Sequence, residues 1–197
     1  LIARIVAGWG DAAIAAQKVG TQIESISYTT AEGFATAVNA FIAQNFGARR
    51  LDRIRRGYWT AVGMIVAWSC LTTVMLVVFP APLVRVFIQE EEVVRTGVSY
   101  LRIMGYSQIL MCLEITSSGA FQGLGRPMPP TLAGVIGNAA RIPMAILLSA
   151  TVLGLDGVWW SISISSIAKG LVVFAWFVVV LRRCTRDGDL GTPQFVR

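Results

Sequence analysis

The sequence predicts an all-α membrane protein, built as a bundle of about five transmembrane helices. Of the 197 residues, 55% are hydrophobic and 14% are charged, whereas soluble domains are about 45–50% apolar and about 25% charged. The mean hydropathy is +0.64. Apolar runs of about 20 residues, enough to cross the hydrocarbon of a bilayer, recur along the chain. The loops between them alternate in charge, as the loops of membrane proteins do.

The chain opens with an apolar segment and has no initiator Met. We therefore interpret residues 1–10 as the end of a truncated preceding helix, and the chain as a fragment of a larger gene product.

The first predicted span, residues 12–43, is much more polar than the others. Its polar positions recur every three or four residues, so they form one stripe along a helix. The stripe consists of Gln17, Thr21, Glu24, Tyr28 and Ala31. A water-filled cavity would explain it, as would packing against other polar helices. A third interpretation is an amphipathic helix that lies in the membrane interface.

The later predicted spans are more apolar. Residues 58–84 contain no charged residue, and Pro80 and Pro82 mark the far end of this second span. The other spans each carry one central charge. They are residues 103–125 around Glu114, residues 128–155 around Arg141 and residues 157–181 around Lys169.

The loops predict the orientation. Residues 44–56 contain five arginines and one aspartate, whereas residues 81–94 contain three consecutive glutamates and one arginine. Basic loops face the cytoplasm, so the predicted cytoplasmic tail, residues 184–197, lies on the same side as the arginine-rich loop. The arginines cluster beside apolar runs, which indicates membrane orientation and no nucleic-acid partner.

The carboxylates inside the spans are the candidate binding residues. A charge near the bilayer centre costs roughly 2.5–3.5 kcal/mol on insertion scales, so Glu114 must be neutral, paired or hydrated. We predict that Glu114 binds substrate or a coupling ion, with a structural ion pair as the alternative. Glu24 is the second candidate, and Tyr28, Thr21 and Gln17 are the neighbours that would help it to bind a cation. Glu32 is predicted to be a solvated or loop-paired charge.

Arg141 and Lys169 are predicted to be structural charge partners, one of them pairing with Glu114. Gly119 and Gly123 form a GxxxG pair that favours close helix packing, and similar small-residue spacing recurs around Gly134. The chain has no His, no paired Cys ligands and no Ser with an evident base partner. We therefore predict neither an enzyme nor a metal or cofactor site.

Four blocks of sequence, in order, resemble the multidrug and toxic compound extrusion (MATE) family. Their bounds are Gly33–Trp59, Gly119–Pro130, Asn138–Leu148 and Gly154–Ser165. The first block, GFATAVNAFIAQNFGARRLDRIRRGYW, resembles a helix and basic cytoplasmic loop of that family. The second, GAFQGLGRPMPP, is similar to its Gly-x-x-x-Gly-x-Gly-x-x-x-Pro turn. The last two, NAARIPMAILL and GLDGVWWSISIS, resemble its closing helices.

This resemblance implies that residues 11–183 are the C-terminal lobe of a twelve-helix transporter in the cell (inner) membrane. Such a protein exports organic, often cationic, compounds by alternating access, in exchange for protons or sodium ions, and works with an N-terminal lobe. The alternatives are a lipid-linked saccharide flippase of the same superfamily, whose cavity would be more basic, and a non-transporting structural membrane module.

Overall fold

The computed structural model describes residues 2–151 and 153–187. Within these residues the chain forms eight helices and no strand, so the predicted all-α class is confirmed. The helices are α1 (Ile2–Ala7), α2 (Asp11–Gly47), α3 (Leu51–Val78), α4 (Pro80–Arg85), α5 (Glu91–Gly105), α6 (Gln108–Gly123), α7 (Met128–Ser149) and α8 (Gly154–Asp187).

Three helices in the described part of the chain are long and apolar enough to cross a membrane. They are α3, α7 and residues Gly154–Cys184 of α8. The α2 helix does not meet this criterion, because polar residues recur along it, and the pair α5 and α6 is divided by a break. Membrane crossing by these two segments stays a prediction.

Several helices begin or end at residues other than those of the predicted spans. Residues 12–43 lie within the longer α2, and α3 begins at Leu51, before the second span of residues 58–84. Residues 51–56 contain neither Gly nor Pro, so α3 starts before the apolar run does. The α3 helix ends at Val78 because Pro80 disfavours helical backbone in the residue before it, and Pro80 then begins α4.

The third predicted span, residues 103–125, is divided between two helices. The chain turns at Tyr106 and Ser107, so α5 ends at Gly105 and α6 starts at Gln108. Helix ends leave carbonyls without partners, and two neighbours supply donors here. The Thr73 hydroxyl of α3 donates to the Gly105 carbonyl at 3.2 Å, and the Ser163 hydroxyl of α8 donates to the Ile103 carbonyl at 3.1 Å.

The ends of the chain also differ from the predicted segments. The predicted span of residues 128–155 is longer than α7, and α8 extends beyond the predicted span of residues 157–181 in both directions. Of the predicted tail, residues 184–187 continue α8 and residues 188–197 lie outside the described residues. In the predicted preceding-helix segment, residues 1–10, Ile2–Ala7 is helical and Leu1 lies outside the described residues.

The core is a bundle of α2, α3, α6 and α8, with α5 completing it beyond the helix break. Small residues bring α6 against α2. A Cβ at Gly123 would lie 2.7 Å from the Asn39 carbonyl oxygen, and one at Gly119 would overlap the Ala35 carbonyl. By contrast, α7 packs mainly on α8 and buries only Ala145. The result is that α2 and α6 lie side by side, with the candidate carboxylates between them.

Candidate functional site

The carboxylate of Glu24 lies where α2 meets the break between α5 and α6. The Tyr100 hydroxyl donates to Glu24 Oε2 at 3.0 Å, and the Gln108 amide donates to Glu24 Oε1 at 3.4 Å. The amide oxygen of Gln108 accepts a hydrogen bond from the Ser27 hydroxyl at 3.2 Å. These side chains are held in place, since Tyr100, Gln108 and Ser27 are all buried. Among the described residues, no cation lies within ion-pair distance of Glu24.

Glu114 is paired differently. Its Oε1 lies 3.3 Å from Lys169 Nζ of α8, and the two side chains are 15% and 14% exposed. The aliphatic part of Lys169 packs over Gly137 of α7, where a Cβ would collide with it. Gly137 therefore lets the lysine reach across to α6.

The second central cation, Arg141, is held by hydroxyl groups of α8. Its guanidinium donates to Ser165 Oγ at 3.3 Å and to Ser166 Oγ at 3.1 Å. Ser165 in turn donates to the Gly137 carbonyl at 3.1 Å. Arg141 also lies close enough to Glu114 for the two charges to interact.

An open polar cleft of about 430 Å³ lies between α2 and α6. Its side chains combine two carboxylates with hydroxyl and amide groups. They include Tyr28, Glu32, Asn39, Glu114, Ser118 and Gln122. Carboxylate and amide oxygens accept hydrogen bonds and attract positive charge, so the cleft suits an organic cation. Glu114 joins the cleft to the ion pair, because it both lines the cleft and contacts Lys169.

The structure divides the polar stripe of α2 that the sequence predicts as one face. Tyr28 lines the cleft, whereas Glu24 belongs to the network with Tyr100 and Gln108. The Thr21 hydroxyl donates to carbonyls of its own helix, and neither Thr21 nor Gln17 lines the cleft. Ala31 is fully buried, because ten residues of helix turn it about 80° away from Thr21 and into the core.

Sequence reasoning missed part of the site. Glu32, which is predicted to be a solvated or loop-paired charge, is exposed and also lines the cleft, as do Ser118 and Gln122. Their spacing carried the signal, since Glu32 follows Tyr28 by four residues and Ser118 follows Glu114 by four, which places each pair on one helix face. Tyr100 carried no such signal, because its contact with Glu24 joins residues 76 positions apart.

Comparisons with known proteins agree with this architecture. The family model MatE matches residues 1–147. The probable multidrug resistance protein NorM of Thermotoga maritima is 26% identical over 165 residues, which cover 81% of this chain and 35% of that protein. Human multidrug and toxin extrusion protein 1 is 23% identical over 170 residues, covering 85% of this chain and 30% of that protein.

The fold is also that of solved MATE transporters. A crystal structure of MATE in the straight conformation superposes with a TM-score of 0.85 at 19% identity, covering 94% of this chain and 42% of that one. The chain thus spans roughly a third of the length of the curated relatives above. Because the MatE model matches most of its residues and the helical fold agrees, this chain belongs to the MatE family of membrane transporters.

Proposed function

We propose that the full-length protein is a secondary active multidrug exporter that moves organic cationic compounds out of the cell by alternating access. In this proposal residues 11–183 form the C-terminal lobe and work against an N-terminal lobe. The names of the relatives, which describe multidrug resistance and multidrug and toxin extrusion, support the export of drugs, and the two carboxylates of the polar cleft support a cationic substrate. The protein acts as a transporter and not as an enzyme.

The observation that carries the proposal is the position of Glu114, at the junction of the polar cleft and the ion pair with Lys169. A cationic substrate in the cleft would compete with Lys169 for this carboxylate. Because the two side chains are only 15% and 14% exposed, the exchange of one cation for another takes place with little water between them, where electrostatic interactions are stronger than in bulk water. Tyr28 adds an aromatic face on which organic cations bind well.

Glu24 is the proposed site of the coupling ion, H⁺ or Na⁺, and no further cofactor is required. Within the described part of the chain it has hydrogen-bond donors but no cationic partner. A proton or a sodium ion would supply the missing positive charge. Coupling then requires that substrate and ion bind with different affinities to the inward-open and outward-open states.

The same proposal places the protein in the inner membrane with its C-terminus in the cytoplasm, because the arginine-rich segment and the end of α8 lie at the same end of the bundle.

A lipid-linked saccharide flippase is the alternative that Arg141 and Lys169 would favour if both presented free charge to a cavity. Lys169 is instead neutralised by Glu114, and Arg141 donates to two serines. The open cleft also fits poorly with a purely structural module. These contacts favour export of cations.

The test measures ethidium efflux from cells or everted vesicles that contain the full-length gene product. We expect Glu114→Gln and Glu24→Gln each to lower the initial rate about tenfold or more, equivalent to about 1.4 kcal/mol in the barrier. Glu91→Gln is the matched control, because Glu91 is exposed and pairs with Arg85 away from the cleft. Imposing a proton gradient or a sodium gradient alone identifies the coupling ion. Unchanged efflux in both variants, at equal expression, would overturn the site assignment.

A further inference from the structure

A second cleft, of about 340 Å³, lies at the arginine-rich end of the bundle between α3 and α8. Aromatic contacts next to this cleft hold α3 and α8 together. The rings of Tyr58 and Phe177 lie 4.4 Å apart, and Trp59 meets Phe174 edge-on at 6.3 Å. We call this opening the arginine cleft. It is lined by Arg55, Trp59, Val178, Leu181 and Arg182.

The arginine cleft carries positive charge that no carboxylate of the described side chains pairs with. Arg55 and Arg182 are exposed, and neither forms an ion pair with the described residues. The surrounding segment, residues 49–56, contains five arginines and only one acidic residue, Asp52. Guanidinium groups present a planar fork of donors that matches phosphate oxygens. The free charge therefore favours a phosphate-bearing ligand.

The position of the arginine cleft identifies the source of that phosphate. Both α3 and residues Gly154–Cys184 of α8 are long and apolar enough to span a membrane. Arg55 lies one turn before the uncharged run that begins at Tyr58, and Arg182 follows an apolar stretch that ends at Leu181. The two guanidinium groups thus lie at one membrane boundary, the depth of the lipid headgroups.

The remaining walls of the arginine cleft suit a lipid better than a soluble phosphate compound. Val178 and Leu181 supply apolar surface, which the glycerol and first acyl carbons of a lipid would cover. Trp59 is 45% exposed and occupies the depth at which tryptophan commonly lies in membrane proteins. A free phosphate ion has no group to place against these side chains.

We propose that the arginine cleft binds the headgroup of an anionic phospholipid, with its phosphate between Arg55 and Arg182. Basic pockets between membrane helices on the cytoplasmic side bind such headgroups. The single negative charge of the bound lipid offsets part of the positive charge at this end, and the lipid ties α3 to α8. This site is separate from the polar cleft and does not depend on the transport proposal.

The test is native mass spectrometry of the full-length gene product, purified in detergent and titrated with phosphatidylglycerol or phosphatidylcholine. We expect wild-type protein to retain phosphatidylglycerol preferentially. The double variant Arg55→Gln/Arg182→Gln should bind it about 25-fold more weakly, because each arginine near an anionic lipid contributes about 1 kcal/mol. Arg53→Gln is the matched control, since Arg53 belongs to the same helix but points about 160° away from Arg55 and does not line the arginine cleft.

Three results would overturn the proposal. They are equal retention of phosphatidylglycerol by the double variant and the control, equal retention of both lipids by wild-type protein, and displacement of phosphatidylglycerol by excess inorganic phosphate. The last two use wild-type protein, so they decide the question even if the double variant does not fold. Transport activity is not the readout, so a failure here is distinct from failure of the export proposal.

Discussion

Glu114 and Lys169 show how a membrane helix bundle can contain a carboxylate and an ammonium group in apolar segments. Each charge alone is expensive in hydrocarbon, but their atoms approach to 3.3 Å and each side chain is largely shielded. Arg141 meets the same requirement differently, through the hydroxyl groups of Ser165 and Ser166. The three central charges are therefore linked to specific partners on α6 and α8.

A double-mutant cycle tests the ion pair. We expect Glu114→Gln and Lys169→Gln each to destabilise the protein by about 2–3 kcal/mol, because each leaves a shielded charge without its partner. The double variant should be more stable than the sum of the single effects predicts, with a coupling of about 1–3 kcal/mol. Thermal unfolding in detergent measures both quantities.

The control for this cycle is Arg85 and Glu91, which lie 3.2 Å apart with side chains 59% and 79% exposed. Substitution of either with glutamine should change stability by less than about 1 kcal/mol. Strictly additive effects of Glu114→Gln and Lys169→Gln would contradict a stabilising ion pair.

At the level of helices, small residues decide which helices pack closely. Gly119 and Gly123 let α6 reach the backbone of α2, as the GxxxG pattern predicts. Gly134 of α7 does not serve this purpose within the described part of the chain, because nothing lies within 4 Å of the position where its Cβ would be, whereas Gly137, on another face of α7, contacts Lys169 of α8. Small residues therefore mark a tight interface in α6, and Gly134 marks an open face of α7.

Gly119 and Gly134 provide a matched pair of variants. Gly119→Ala would push a methyl group into the Ala35 carbonyl, so we expect it to destabilise the protein by about 1–3 kcal/mol. Gly134→Ala should leave stability unchanged or raise it by about 0.5–1 kcal/mol, because alanine loses less conformational freedom in a helix. Thermal unfolding in detergent measures both, and a similar effect at the two positions would contradict the packing described here.

At the level of the whole molecule, charge is separated between the two ends of the bundle. Arginines cluster around the start of α3 and the end of α8, whereas Glu90, Glu91 and Glu92 lie together at the start of α5. Such an asymmetry orients membrane proteins with the basic end in the cytoplasm.

Cysteine labelling in whole cells tests this orientation. In a variant without Cys70, Cys112 and Cys184, we expect a membrane-impermeant maleimide to label Glu91→Cys in intact cells. Arg53→Cys should be labelled only after the membrane is permeabilised. Both native positions are exposed, so burial does not confuse the comparison. The reverse pattern would contradict a cytoplasmic C-terminus.

The sequence alone determined the all-α class and the family, and it predicted the carboxylates on which the proposed function depends. Composition and periodicity predict the helical class, because both are properties of the chain itself and do not depend on how it folds. The ordered blocks, among them Gly33–Trp59 and Gly119–Pro130, were enough to identify the MATE resemblance, which the MatE match confirms. The ends of the helices were harder to predict from the sequence, because hydropathy measures the length of an apolar run and not the hydrogen bonds that continue or stop a helix.

Only the tertiary structure decided which charges meet. From the sequence, either Arg141 or Lys169 could pair with Glu114. Lys169 reaches the carboxylate because Gly137 has no side chain to block it. The break at Tyr106 and Ser107 is likewise invisible in an apolar sequence, because Thr73 and Ser163, which stabilise its carbonyls, come from other helices. Glu24 meets Tyr100 across 76 residues. Contacts of this kind depend on how helices cross, and no local pattern in the chain records that geometry.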